Sequence, residues 1–162
     1  MTIDKSTEKI SGMFDAIAPT YDKLNHVLSF NADKRWRKKA IDELMRNCPH
    51  EILDVATGSG DMILEIVKRG NLKISAIDIS EKMVEVAKQK IKTKFGAKNI
   101  EFIISPAEQI PFSENKFDGA TVAFGVRNFE KLELGLTEIK RVLKNGGNLV
   151  VLEFVKPRRK FS

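Results

Sequence analysis

Asp54, Gly58, Ser59, Gly60 and Asp61 fall close together between an apolar stretch and an amphipathic one. Glycines there let the backbone approach a ligand closely and take up positive φ. Asp78 follows 18 residues after Gly60, at the end of the next apolar stretch. A carboxylate so placed accepts hydrogen bonds from both hydroxyls of a ribose. The plainer readings are a tight strand-to-helix turn and a turn or helix-capping aspartate ahead of Ser80. Both are compatible with binding.

Three other groups of residues bear on chemistry. Arg127 and Asn128 are adjacent and follow a fourth apolar stretch. They are placed to orient oxygens of a substrate, or Arg127 forms a surface ion pair with an acid such as Glu130. Tyr21 and Asp22 either close over a ligand or form a structural turn, and His26 is a candidate general base or a structural histidine. The run Lys34–Lys39 sets five cations around Trp36. Such a run is a solvated helix face or a contact for anionic lipid. No RNA-binding signature accompanies it, which argues against nucleic acid.

Two ligand classes compete for the glycine loop. A dinucleotide would need a glycine at position 63, which is Ile63. Its pyrophosphate would also meet Asp61 at the helix N-terminus, where two anions repel. A nucleoside with a cationic amino-acid tail fits better, with Asp54 and Asp61 facing its positive charges. That description is S-adenosylmethionine.

The elements that position these residues follow from periodicity. Apolar spacing predicts helices over 6–18, about 33–47, 61–69, 80–94 and 132–143. Short apolar runs predict strands over 51–55, 73–77, 100–104, 119–124 and 148–154, with a turn at Asn145, Gly146 and Gly147. Alternating strands and helices argue for an α/β fold, a doubly wound and mostly parallel sheet covered on both faces. Ligands then bind at the carboxyl ends of the strands. The organisation expected is one domain, 1–162, with an N-terminal helical cap (1–48), a binding core (49–157) and a basic tail (158–162).

Composition sets outer limits. The 162 residues carry 28 Lys and Arg against 22 Asp and Glu, a net charge of +6, with 42% hydrophobic residues. That is ordinary for a globular domain, and no apolar run approaches the length of a membrane span. One cysteine, Cys48, excludes an intrachain disulfide, and with two histidines leaves no metal site to propose. A cytoplasmic location is expected, peripheral to the inner face of a membrane if the basic run meets lipid.

Three motifs carry a resemblance. The stretch 21–36, containing Tyr21, Asp22, Asn25, Ser29, Asp33 and Trp36, resembles the N-terminal signature of the ubiquinone/menaquinone biosynthesis C-methyltransferases. The stretch 141–154, with Gly146, Gly147 and Glu153, resembles the second signature of that family, and Phe124, Gly125, Arg127 and Asn128 match its Phe-Gly-hydrophobic-Arg-Asn block. The resemblance covers about 11–157 and implies a class I, Rossmann-like methyltransferase fold using S-adenosylmethionine.

It also implies roles. Ser59, Asp78, Pro106, Ala107 and Ala123 fall on the family's cofactor-contact positions, and with Tyr21, Asp54, Gly58, Gly60, Ile79 and Glu108 they make up the expected cofactor site. Arg127, Asn128 and Asp78 become the catalytic group, handling the ring proton of a prenylated quinol through water. The reaction implied is C-methylation of demethylmenaquinol to menaquinol, or its ubiquinone counterpart. Another small-molecule methyltransferase and a non-catalytic cofactor-binding or assembly protein are the alternatives. Family members usually continue past the fifth strand with further strands. The expectation is therefore a chain lacking those C-terminal strands, self-associating through its last strand, and only weakly active.

Overall fold

The computed structural model describes residues 6–22, 29, 32–96 and 100–154. His26 and the basic tail beginning at Lys156 lie outside the described residues. Five strands form one sheet: β1 Glu51–Val55, β2 Lys73–Asp78, β3 Ile100–Ile104, β4 Phe117–Ala123 and β5 Leu143–Leu152. Their order is β3-β2-β1-β4-β5, and each neighbouring pair is parallel. The described helices are α1 Thr7–Ile17, α2 Ala32–Leu44, α3 Asp61–Val67, α4 Glu81–Phe95 and α5 Leu132–Val142.

Strand alternation divides the core into two layers. Leu53, Val55, Ile77, Ala120 and Val122 face one side and pack with Ile139 and Val142 of α5. Ile52, Ile74 and Ala76 face the other and pack with Ile41 and Leu44 of α2, Met62 and Ile66 of α3, and Ile91 of α4. Side chains on a strand alternate between faces, so covering both faces requires the nearly unbroken apolar runs seen in β1 and β2. At the opposite edge of the site, Asp118 clamps β4 to the start of β1 by accepting from the backbone N–H groups of His50 and Glu51, each at 2.9 Å. The Lys144 ammonium beside it, with those amides, holds its carboxyl at about 2.

Chain order matters more than strand count. After β3 the chain returns to the far side of β1 to lay down β4, so the order reverses between β1 and β4. The carboxyl ends of those strands splay apart and leave a crevice. Helix α1 crosses above it, fixed at three points. Thr7 donates to Glu130 from both backbone and hydroxyl, Ser11 Oγ donates to the Ile79 carbonyl at 2.9 Å, and Ser80 Oγ donates to Asp15 at 2.5 Å. Helix α1 is therefore fastened over this crevice.

Several element ends differ from the expected ones by a few residues, and two of the shifts have a clear local cause. Helix α4 begins at Glu81 because Ser80 is its N-cap, its Oγ accepting from Met83 N–H at 3.1 Å. The last strand begins at Leu143 and not Asn148, since Leu143 pairs with Phe117 before the ladder breaks and resumes at Gly119 with Asn148. The residues between them form a bulge, with Gly146 at φ +84°.

Candidate active site: two cavities sharing a wall

The glycine loop is built by its neighbours. Gly58 has φ +53° and open space where a side chain would stand. Gly60, at φ +83°, caps α3, and an added Cβ would lie 2.9 Å from that of Ala87 on α4. Only glycine allows both that backbone and that helix contact. Asp78 Oδ2 accepts from Gly58 N–H at 2.7 Å and Oδ1 from Ser80 N–H at 2.9 Å. Burial pushes the Asp78 carboxyl up, partly opposed by these backbone donors.

A first cavity opens at the carboxyl ends of β1, β2 and β4. Its walls include Gly58, Asp78, Ile79, Pro106, Ala107, Ala123 and Asn128, with Thr7, Ile10 and Phe14 of α1 above. Three carboxylates line it, Asp78, Glu108 and Glu130, and no Lys or Arg does so among the described residues. Such a wall attracts a cation and repels a pyrophosphate. The segment carrying Pro106, Ala107 and Glu108 is tied to α5: Arg141 donates to the carbonyls of Ile110 and Phe112, and Glu138 accepts from Ile110 N–H at 3.0 Å.

A second cavity adjoins the first and shares Tyr21 and Phe124 with it. Its remaining walls include Trp36, Arg37, Arg127 and Phe154. The Phe124 ring stacks on Phe154 with centroids 4.8 Å apart, and Trp36 meets Phe154 edge-on at 5.7 Å. Arg37 lies 5.4 Å over the Phe124 ring and Arg127 lies 6.0 Å over that of Phe154. Phe124 itself has φ +56°, a conformation costly for a bulky residue and characteristic of functional sites. Aromatic faces beside guanidinium groups suit a flat ring bearing hydrogen-bond acceptors.

Several expected residues stand elsewhere. Asp54 is 1% exposed and lines neither cavity. It shares the strand face of Ile52, beneath α2 and α3, where the hydroxyls of Thr57 and Thr121 each donate to it at 2.6 Å. Burial raises its carboxyl to about 6 despite those donors. Asp61 is engaged by Lys90 at 2.9 Å and by Arg37 at 3.7 Å. The two acids expected to face a cationic ligand therefore hold the loop from behind, and Glu108 and Glu130 face the cavity instead. Ser59 and Gly60 are also outside the wall; Ser59 Oγ donates to Asp22 at 2.5 Å, joining the loop to the segment that carries Tyr21.

The expected catalytic group is divided. Arg127 lines the second cavity, whereas Asn128 and Asp78 line the first. Arg127 pairs with Glu153 and not with Glu130, which Thr7 occupies. Sequence reasoning named Glu130, Glu153 and Phe124 but missed that Glu130 lines the first cavity, that Glu153 pairs with Arg127 and that Phe124 and Phe154 form an aromatic wall. Glu153 had a signal, since it follows β5 directly and so lies at the ligand end of the sheet.

Comparison with known proteins bears on the family and the fold. The profile described as the ubiE/COQ5 methyltransferase family matches residues 1–161. The chain is 48% identical over 153 residues to a ubiquinone/menaquinone biosynthesis C-methyltransferase UbiE of Geotalea daltonii, covering 93% of this chain and 65% of that protein. It is 46% identical over 156 residues to a demethylmenaquinone methyltransferase of Bacteroides fragilis, covering 96% and 64%. The chain thus spans about two thirds of the length of these curated relatives. Among solved structures, a putative methyltransferase from Bacillus halodurans C-125 superposes with a TM-score of 0.69 at 28% identity, covering 76% of this chain and 52% of that one. The fold is that of class I S-adenosylmethionine-dependent methyltransferases, and the chain belongs to the ubiE/COQ5 methyltransferase family.

Proposed function

We propose that the chain binds S-adenosylmethionine in the first cavity and a prenylated quinol in the second, for C-methylation of demethylmenaquinol to menaquinol or of the ubiquinone counterpart. The observation that carries this reading is the shared wall: an acidic cavity without cations abuts an aromatic one lined by guanidinium groups, with Tyr21 and Phe124 between them. The printed names of the two curated relatives support it. When bound, S-adenosylmethionine supplies an electrophilic methyl group to a ring carbon that gives up its proton.

The residues present fit such a ligand. A carboxylate offers about four acceptor positions, and Asp78 spends two on Gly58 and Ser80, leaving acceptor capacity for ribose hydroxyls. Glu108 and Glu130 supply negative charge opposite a cationic tail, and the open side of Gly58 admits close backbone approach. Asp78 belongs to this side of the wall, so we assign it to ribose binding and not to the ring proton.

In the second cavity Arg127 presents a planar fork of N–H donors. Its guanidinium, held by Glu153, donates to a quinol oxygen and stabilises the phenolate that forms as the hydroxyl loses its proton to water, and water also takes the proton from the methylated ring carbon. The phenolate raises electron density at the ring carbon facing the wall. Phe124, Phe154 and Trp36 present aromatic faces and edges that pack against the ring. Among the described residues no helix is long and apolar enough to cross a membrane; on this reading the protein works in the cytoplasm beside a bilayer that holds its substrate.

Trp36 is the chain's one tryptophan and lines the second cavity, so it reports on ring binding. A demethylated naphthoquinol with a short prenyl chain should quench its fluorescence saturably when S-adenosylhomocysteine is bound. Absence of quenching up to millimolar quinol, with the nucleoside bound, would count against the assignment.

A further inference from the structure

On α2, Asp33, Arg37, Ala40, Ile41 and Leu44 are buried, whereas Lys34, Arg35, Lys38 and Lys39 are exposed. At 3.6 residues per turn these four cations share one side of the helix. Arg37, the fifth cation of the run, is turned inward to Asp33 and Asp61. The acids farther along the exposed side already have partners: Asp42 pairs with Arg69 and Glu43 with Arg46. Trp36 flanks the cationic side and contacts Phe154, which is 63% exposed at the rim of the second cavity. Arg127, on the same rim, has half of its side chain in solvent.

We propose that this surface seats the protein on an anionic phospholipid bilayer, with the second cavity opening onto the lipid. The inference rests on the quinol reading above and names the surface that serves it. Basic residues near an anionic leaflet are attracted within a Debye length of it, and an exposed aromatic beside them fits the headgroup boundary. The cavity rim must also pass an apolar chain, and each methylene drawn from lipid into water carries a hydrophobic penalty. Exposed cations joined through Trp36 to an exposed phenylalanine at the cavity rim fit a bilayer better than a nucleic acid, which would leave Phe154 unused.

The test is co-sedimentation of the 162-residue chain with vesicles. Binding is expected to phosphatidylcholine containing 30% phosphatidylglycerol, weakening with salt, and not to phosphatidylcholine alone. The variant K34Q/R35Q/K38Q/K39Q should bind at least about 100-fold more weakly, from roughly fivefold per charge. The variant K82Q/K92Q/K131Q/K140Q removes the same charge from exposed lysines elsewhere and should lose far less. Circular dichroism confirms that both variants fold. No binding to anionic vesicles, equal losses in the two variants, or displacement from vesicles by equimolar-charge RNA would overturn the proposal. Methylation of a quinol without a prenyl chain should be the same in wild type and the α2 variant. Failure of that reaction in wild type would strike the quinol reading while the vesicle result still decides this one.

Discussion

Replacing Asp78 by asparagine isolates the contribution of one charge to nucleoside binding. The carboxylate holds Gly58 N–H at 2.7 Å and Ser80 N–H at 2.9 Å, and its remaining acceptor positions are assigned to the ribose. Asparagine offers one oxygen, so one backbone donor is left facing an NH2 group. A stranded buried donor costs about 1–3 kcal/mol. Burial already disfavours the Asp78 charge, so removing it offsets part of that loss, and net destabilisation should sit near 1 kcal/mol. For the ligand, a charged acceptor contributes about 1.5–3 kcal/mol against 0.5–1.5 for a neutral one. The difference of about 1–2 kcal/mol predicts a Kd for S-adenosylhomocysteine raised roughly 5- to 30-fold, and Asp78→Ala should be worse. Calorimetry gives the affinity, and urea unfolding shows that the variants remain folded. NAD should not compete. Affinities within twofold of wild type in both folded variants would refute the ribose assignment.

Other expectations follow from the same contacts. Arg127→Ala should lower turnover at least about tenfold, some 1.4 kcal/mol in barrier, with cofactor affinity unchanged by calorimetry. Asp54, with a folded pKa of about 6 against 3.8, retains a proton between pH 4 and 6 that the unfolded chain releases. Wild-type stability should therefore fall as pH rises through that window and then level off, and Asp54→Asn should lack this slope. The gap between the two in urea unfolding should shift by roughly 2–3 kcal/mol from pH 4 to 7.5 in favour of asparagine. The outer side of β5 has no strand partner among the described residues, and Val151 is 45% exposed. The 162-residue chain should self-associate at high concentration, and Val151→Lys should reduce this in light scattering.

How much was legible in the sequence depended on whether the signal was local. Strand β1 falls where a short apolar run ends in turn residues, because burial on both faces leaves little room for another reading. The start of β5 was not legible: Leu143 reads as the last apolar position of a helix, and only its pairing with Phe117 across 26 residues makes it extended. In the site, Gly58 and Asp78 could be picked out because turn chemistry and one strand end fix both. The direction of Asp54 was also available, since it shares a face with Ile52, but its carboxylate suggested a ligand when it serves two threonines. The second cavity had no local signature. Trp36, Phe124 and Phe154 come from three distant elements, and Glu153 becomes the partner of Arg127 only because β4 and β5 lie side by side.

The central claim is that the two cavities exchange a methyl group across the wall of Tyr21 and Phe124. Incubating the chain with S-adenosylmethionine carrying a 13C-methyl group and a short-chain demethylated naphthoquinol tests it directly. The predicted result is a quinol with the label on a ring carbon, however slow the turnover, formed at least about tenfold more slowly by Arg127→Ala. Label found only on oxygen, or no labelled product while both ligands are shown to be bound, would contradict it.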